Sequence, residues 1–269
     1  MPYTVNCSIL LTELPLLERP AAARAAGFDA VEFWWPFPAA VPTDAEVTAF
    51  ECAITDAGVR LTGLNFAAGD MPAGDRGLVS WPARSAEFRD NLAVVTGIGG
   101  ALGCTGFNAL YGNRVDESTP EVQDALALEN LALAADAVAP IGGTVLLEPV
   151  SGAPRYPLLT ADDVLAVIAQ VTTASGYDNV KLLADFYHLT VNGDDVAAVI
   201  AEHAAEFGHI QIADAPGRGE PGTGALPLAH WIEQSRTLGY TGPVGLEYKT
   251  TAVDPFAWLA PENDSKDTP

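Results

Sequence analysis

Short apolar runs rich in Val, Ile, Leu and Phe alternate along the whole chain with longer stretches whose apolar residues recur at helical spacing. The short runs predict eight strands, at 3–9, 30–35, 60–66, 106–111, 144–149, 180–186, 209–214 and 243–248. Helical patterns lie between them at 14–26, 43–57, 86–102, 120–139, 161–175, 194–207 and 226–238, with a short last helix at 254–260. Such alternation places helices over a parallel sheet. Eight repeats in a chain of 269 residues predict one α/β domain, a (β/α)8 barrel over 1–260. The segment 261–269 is polar, has proline at both ends, and is expected to be a disordered tail.

Local chemistry marks the boundaries. Gly27, Gly58, Gly103 and Gly239 each follow a helical run, where a left-handed cap is wanted. Thr43 with Glu46, and Thr160 with Asp163, have the spacing of capping boxes. The uncharged stretch 91–113 is broken by glycines at 97, 99, 100, 103 and 106, among others, and contains Asn108, so it reads as a buried helix, a turn and a strand rather than a membrane span. Two strand-to-helix connections are long, 67–84 and 215–225. They fall on the face where barrels of this kind carry their sites, and long loops there act as lids or binding loops.

Charge narrows the partners. Thirteen Lys+Arg against 35 Asp+Glu give a formal charge of −22. Such a field repels nucleic acid and anionic membrane, and it requires specific local cations if the substrate is a small anion. Cys7, Cys52 and Cys104 are odd in number and widely spaced, which predicts reduced thiols in a cytoplasmic protein. The N-terminus lacks the basic segment of a signal peptide. Symmetric association, at least to a dimer, is expected from the habits of such barrels.

The candidate chemistry sits at strand ends. Glu148, Asp185, Gln211 and Glu247 end or lie within four successive apolar runs, each about one βα unit from the next. Gln211 shares strand parity with His209 and Ala213, so all three should face the same way. Three carboxylates and one amide carbonyl suit Mg²⁺ or Mn²⁺ better than Zn²⁺, which favours His and Cys. A metal flanked by two glutamates fits proton transfer next to a carbonyl, one group removing the proton and another returning it. Return to the neighbouring carbon is aldose–ketose isomerisation; return to the opposite face is epimerisation. His188, read as a loop residue beside Asp185, is a substrate contact or a structural histidine. Arg218 and Lys249 are candidate cations for a substrate carboxylate, and Lys249 could equally make a surface ion pair. Asn65 and Asn108 near strand ends, and Arg76 and Glu220 in the two long loops, complete the candidate substrate contacts. Glu32 is a supporting carboxylate or a buried ion-pair member, the latter favoured.

At these residues the chain resembles the hydroxypyruvate isomerase family of xylose-isomerase-like TIM barrels. The resemblance runs almost end to end: Thr12-Glu-Leu-Pro15, Gly27-Phe-x-Ala-Val-Glu-Phe33, Ala73-Gly-Asp-Arg-Gly77, Leu147-Glu-Pro149, Asp185-Phe-Tyr-His188, Gly208-His-Ile-Gln-Ile-Ala-Asp214, Gly217-Arg-Gly-Glu-Pro-Gly-Thr-Gly224 and Gly245-Leu-Glu-Tyr-Lys249. The combination of the segments at 208–214 and 217–224 is the specific part. The resemblance implies reversible conversion of hydroxypyruvate to tartronate semialdehyde through an enediolate. It implies metal ligation by Glu148, Asp185, Gln211 and Glu247, with the two glutamates as acid and base. His188 and Arg218 match substrate contacts of related ketose epimerases, which typically carry His where this chain has Gln211. Ala225, Trp34-Trp-Pro-Phe37 and Val150-Ser-Gly-Ala153 depart from the family pattern around the mouth and bear on substrate identity. The alternatives are a 2-oxo-tetronate isomerase, a ketose 3-epimerase and a non-catalytic sugar-acid-binding barrel. The superfamily's zinc phosphodiesterases need many histidines and a basic face, against four histidines and −22 here.

Overall fold

A computed structural model describes residues 2–259. Eight strands, β1 (Tyr3–Asn6), β2 (Ala30–Phe33), β3 (Arg60–Asn65), β4 (Gly106–Asn108), β5 (Thr144–Leu147), β6 (Val180–Asp185), β7 (Phe207–Ile212) and β8 (Val244–Leu246), pair in chain order and close into a barrel. Every pairing is parallel, including the closing one between β1 and β8. The (β/α)8 barrel expected from the alternation is therefore the fold. The expected tail at 261–269, and position 260 of the last expected helix, lie outside the described residues.

The helices are α1 (Arg19–Ala25), α2 (Asp44–Ala57), α3 (Ser85–Leu102), α4 (Pro120–Val138), α5 (Ala161–Ser175), α6 (Phe186–Asn192), α7 (Val196–His203) and α8 (Leu228–Thr237). Both capping boxes form. The Thr43 hydroxyl accepts the Glu46 N–H at the head of α2, and the Thr160 hydroxyl accepts the Asp163 N–H at the head of α5. Gly58 and Gly103 take left-handed caps. Gly99 of α3 instead permits close packing. A Cβ there would lie 2.5 Å from Cζ of Phe107, so only glycine lets the helix lie against β4. No helix among the described residues is long and apolar enough to cross a membrane.

Three expectations needed correction. The first helical pattern, 14–26, splits into a 3-10 turn at Leu16–Glu18 and α1, because Pro20 suits a first helical turn and not an interior. The pattern 194–207 ends early: a 3-10 turn at Ala204–Glu206 releases Phe207 to start β7. The expected last helix at 254–260 is only a 3-10 turn at Ala257–Leu259. An additional helix, α6, follows β6 directly and was not foreseen. Its N-cap is Asp185, whose Oδ1 accepts the N–H groups of Tyr187 (2.8 Å) and His188 (3.2 Å). His188 is thus helical and not a loop residue.

The strands are shorter than the apolar runs that predict them. The runs continue past the last ladder pair, so Glu148 and Glu247 stand one residue beyond β5 and β8. The wall between barrel and helices is apolar, with Val31, Leu61, Phe107, Val145, Leu182 and Ile210 all buried. Near the C-terminal strand ends the buried side chains turn polar: Asn6, Glu32, Asn65, Asn108, His209 and Gln211.

Candidate active site

The four strand-end residues singled out by the sequence are all buried. Burying three carboxylates is unfavourable unless each finds partners, and the partners are specific. Glu148 Oε1 accepts the Asn108 amide at 2.6 Å. Asp185 spends Oδ1 on capping α6, while its Oδ2 lies 3.4 Å from the Arg218 guanidinium. Glu247 Oε1 is bound by the same guanidinium, and its Oε2 accepts the Asn6 amide at 3.0 Å. Gln211 donates Nε2 to Glu32 at 2.8 Å, and its buried Oε1 has no hydrogen-bond partner among the described residues. Burial pushes the Glu148 carboxyl up to about 7; the Asn108 bond opposes this and the Asp185 charge adds to it. Burial likewise holds Glu247 well above the usual carboxylate range, against the pull of Arg218.

His188 completes a cluster with Glu148 and Asp185 in which one ligand atom from each lies within 4.8 Å of the others. Its tautomer limits its part. Nδ1 accepts the Ser151 backbone N–H at 3.0 Å, with the Ser151 hydroxyl at 2.7 Å. Burial lowers the ring's pKa to about 4, so at neutral pH it carries one proton, and that proton is on Nε2. Nε2 is 3.5 Å from Asp185 Oδ2. The nitrogen facing the site is therefore a donor to oxygen rather than a lone pair for a metal.

Arg218 reaches these carboxylates because of the loop that carries it. Asp214, just past β7, is 1% exposed and gathers four backbone N–H groups: Ala215 (2.8 Å), Gly222 (2.9 Å), Gly224 (2.9 Å) and Leu226 (3.0 Å). Its own backbone pairs with Gly219 in both directions. Arg218 sits at the turn with φ 59, its Nε donating to the Glu247 carbonyl at 3.2 Å and its carbonyl accepting the Lys249 N–H at 2.7 Å. The glycine-rich sequence is thus wound around one carboxylate.

Above the cluster opens a cleft of about 510 Å³, whose walls include Trp34, Asn65, Arg76, Ser151, Tyr187 and Lys249. Of the cations expected to meet a substrate carboxylate, Arg218 is occupied by Glu247 and Asp185. Arg76 spends Nη1 on the carbonyls of Met71 and Asp75 and lines the cleft. Lys249 lines the cleft with an amine that has no ion pair or hydrogen bond among the described residues. Asn65 lines it too; Asn108 lies beneath, on Glu148. Glu220 is not brought to the cleft: its carboxylate accepts the Thr250 hydroxyl. The sequence reading missed Asn6, Ser151 and Asp214. Asn6 and Asp214 carried the same signal as the four ligand candidates, a polar residue within or closing an apolar run; Ser151 carried none.

A family model described as xylose isomerase-like TIM barrel matches residues 20–267. A Streptomyces coelicolor protein, provisionally named a hydroxypyruvate isomerase, is 52% identical over 96% of this chain and 95% of its own length. A 2-oxo-tetronate isomerase of Cupriavidus necator is 36% identical (96% and 97% covered), and the hydroxypyruvate isomerase of Escherichia coli is 32% identical (96% and 98%). Among solved structures, an AP endonuclease, family 2, from Brucella melitensis superposes with TM-score 0.86 at 30% identity, covering 98% of this chain and all of that one. A 3-keto-D-glucoside 4-epimerase of E. coli, 21% identical with TM-score 0.73, shares the fold. Closed barrel, strand-end carboxylates and near-complete coverage agree: the chain belongs to the hydroxypyruvate isomerase family of xylose isomerase-like TIM barrels.

Proposed function

We propose that the protein is a divalent-metal-dependent, cytoplasmic isomerase that interconverts hydroxypyruvate and tartronate semialdehyde. The observation that carries this reading is the pair of buried glutamates, Glu148 and Glu247, facing one cleft with the unpartnered Gln211 carbonyl between their strands. The residues fit a hard cation. All four candidate ligands offer oxygen, and of the three carboxyl groups two share a single guanidinium, that of Arg218. Glu148, Asp185, Gln211 and Glu247 would hold Mg²⁺ or Mn²⁺. Bound there, the ion supplies Lewis-acid stabilisation of the negative charge developing on the substrate's oxygens.

The chain's own groups do the rest. One glutamate takes a proton from C3 of hydroxypyruvate, the hydroxymethyl carbon, and the other delivers a proton to C2. The hydroxyl proton passes from O3 to O2, so the two isomers differ only in where hydrogen sits. Burial brings Glu148 up to about 7, a value suited to a carboxyl that both takes and gives a proton at neutral pH, and raises Glu247 as well. Nε2–H of His188 donates to a substrate oxygen. Arg76 and Lys249, free of the ligand carboxylates, receive the substrate carboxylate. Turnover of hydroxypyruvate should vanish with a chelator and return with Mg²⁺ or Mn²⁺; absence of metal-stimulated turnover of any short keto acid would refute the proposal.

A second substrate has support of its own. A cleft of about 510 Å³ has room beyond a three-carbon acid, and the Cupriavidus relative is named for a four-carbon one. Parallel assays on hydroxypyruvate and 2-oxo-tetronate decide between them by kcat/KM.

A further inference from the structure

We infer that Glu32 is a positioning residue that fixes which end of the Gln211 amide is turned away from it and left available to a metal, and that it tethers Glu247 through Asn6. The inference rests on the metal-site reading above.

Glu32 stands on β2, across the barrel from β7, and is 2% exposed. Its Oε1 accepts Nε2 of Gln211 at 2.8 Å and Nδ2 of Asn6 at 3.1 Å; its Oε2 meets Nε2 of His209 at 2.7 Å. The same Asn6 amide nitrogen reaches Glu247 Oε2 at 3.0 Å. One buried carboxylate therefore touches one proposed ligand directly and another through a single intermediary.

Chemistry explains why the contact is directional. The two ends of a glutamine amide have nearly the same shape, and packing alone does not select between them. An ionised carboxylate only accepts, so it takes the NH₂ end and leaves the carbonyl pointing the other way. That carbonyl is the buried oxygen without a hydrogen-bond partner. Inverting the amide would set two acceptors face to face and aim an N–H₂ at the place where a cation needs a lone pair.

The barrel wall is shaped around this side chain. A Cβ at Gly245 of β8 would lie 2.6 Å from Glu32 Oε1 and 3.0 Å from Gln211 Cγ, and one at Gly63 of β3 would lie 3.2 Å from Glu32 Cβ. Two strands omit a side chain where Glu32 and Gln211 meet. A carboxylate kept only for packing would be replaceable by an apolar residue at little loss; one that orients a ligand would not.

Mn²⁺ titration followed by calorimetry and by electron paramagnetic resonance tests this on the full chain. Glu32→Met removes the acceptor and keeps the length; it should weaken Mn²⁺ binding about 10–100-fold, the usual effect of losing a group that orients a ligand. Glu32→Gln retains an acceptor for Gln211 and should restore affinity to within about threefold of wild type. In a Gln211→Met background, Glu32→Met should add less than about threefold, because the amide it orients is gone. Wild-type affinity in Glu32→Met overturns the inference and leaves the metal reading intact. Undiminished loss in the Gln211→Met background also overturns it, since Glu32 would then act only on the barrel. A wild-type protein that binds no Mn²⁺ overturns both. Should Glu32→Met fail to fold, wild-type crystals soaked in Mn²⁺ decide: Gln211 Oε1 at about 2.1 Å from the ion with Nε2 on Glu32 supports the inference, and an amide turned away overturns it.

Discussion

Replacing Asp214 by Asn exchanges one atom and separates the order of the 215–225 loop from the stability of the barrel. In the wild type Oδ1 holds the N–H groups of Ala215 and Leu226, while Oδ2 holds those of Gly222 and Gly224. Asn keeps one acceptor, so one pair of N–H groups survives and the other pair faces an NH₂. Each bond to a charged acceptor is worth about 1.5–3 kcal/mol, so the closed loop loses about 3–6 kcal/mol if nothing relaxes. Relaxation is easy, because Gly222 and Gly224 are exposed and water can take their N–H groups once the loop opens. The loss in global stability is therefore capped by the free energy of loop opening, and we expect about 1–2 kcal/mol in urea unfolding.

The larger effect falls on Arg218. With the turn released, its guanidinium no longer meets Asp185 and Glu247 in one geometry, and kcat/KM should fall about 100-fold. Hydrogen exchange supplies the local readout: amides at 217–224 speed up and those of β4–β6 do not. Acid gives a second signature. Burial raises the Asp214 carboxyl's pKa, the four N–H bonds outweigh it, and the net shift is downward. A lowered folded pKa means that the stabilisation is full above the unfolded value of about 3.9 and is lost as pH falls through the folded value. Loop exchange in the wild type should therefore rise in that acid range, and Asp214→Asn should lack the dependence. Uniform acceleration across the barrel, or an unchanged kcat/KM, would refute the reasoning.

Other perturbations probe other links. Glu148→Gln and Glu247→Gln should each lower kcat about 10²–10⁴-fold while leaving circular dichroism and thermal unfolding nearly unchanged, as expected for proton-transfer groups. Arg76→Met should raise KM for hydroxypyruvate about 10–100-fold with little change in kcat, since a carboxylate clamp away from the reacting carbons contributes uniform binding; a fall in kcat at constant KM would count against the clamp. Gly99→Ala drives a methyl to within 2.5 Å of Phe107 and should destabilise the barrel by about 1–3 kcal/mol in thermal unfolding, without altering KM.

The barrel's order was legible because each strand repeats one local pattern, and chain neighbours became sheet neighbours throughout. Strand ends were overestimated at Glu148 and Glu247, because an apolar run does not show where ladder pairing stops. Helix α6 was hidden because it spans only two turns and its cap, Asp185, was already read as a strand-end residue. Glu32 was legible as a buried carboxylate with a partner, and His209 Nε2 lies 2.7 Å from it, but its contacts with Asn6 and Gln211 were not legible. Those pairs lie 26 and 179 residues apart in the chain, and only the closed barrel brings them together. The same holds for Arg218. Its charge was visible, yet its commitment to Glu247 and Asp185 depends on a turn whose organiser, Asp214, looks in sequence like one more strand end.

The contact with Glu32 also changes what Gln211 says about the reaction. On the metal-site proposal, the residue at 211 must offer a donor toward Glu32 at 2.8 Å and keep an unpartnered lone pair on its other end. A glutamate would set two carboxylates against each other in a dry interior, and a methionine would leave Glu32 short of a donor. Glutamine meets both demands through its two amide ends, and a neutral histidine meets them through its two ring nitrogens, in the arrangement by which metal-bound histidines donate to carboxylates. Gln and His at this position are thus two solutions to one problem of ligand orientation. Gln211 alone does not distinguish isomerisation from epimerisation. On the proposed mechanism that choice falls to the groups around the substrate: the two glutamates proposed to take and return the proton, the His188 donor, and the cations Arg76 and Lys249, which only an acid substrate would use.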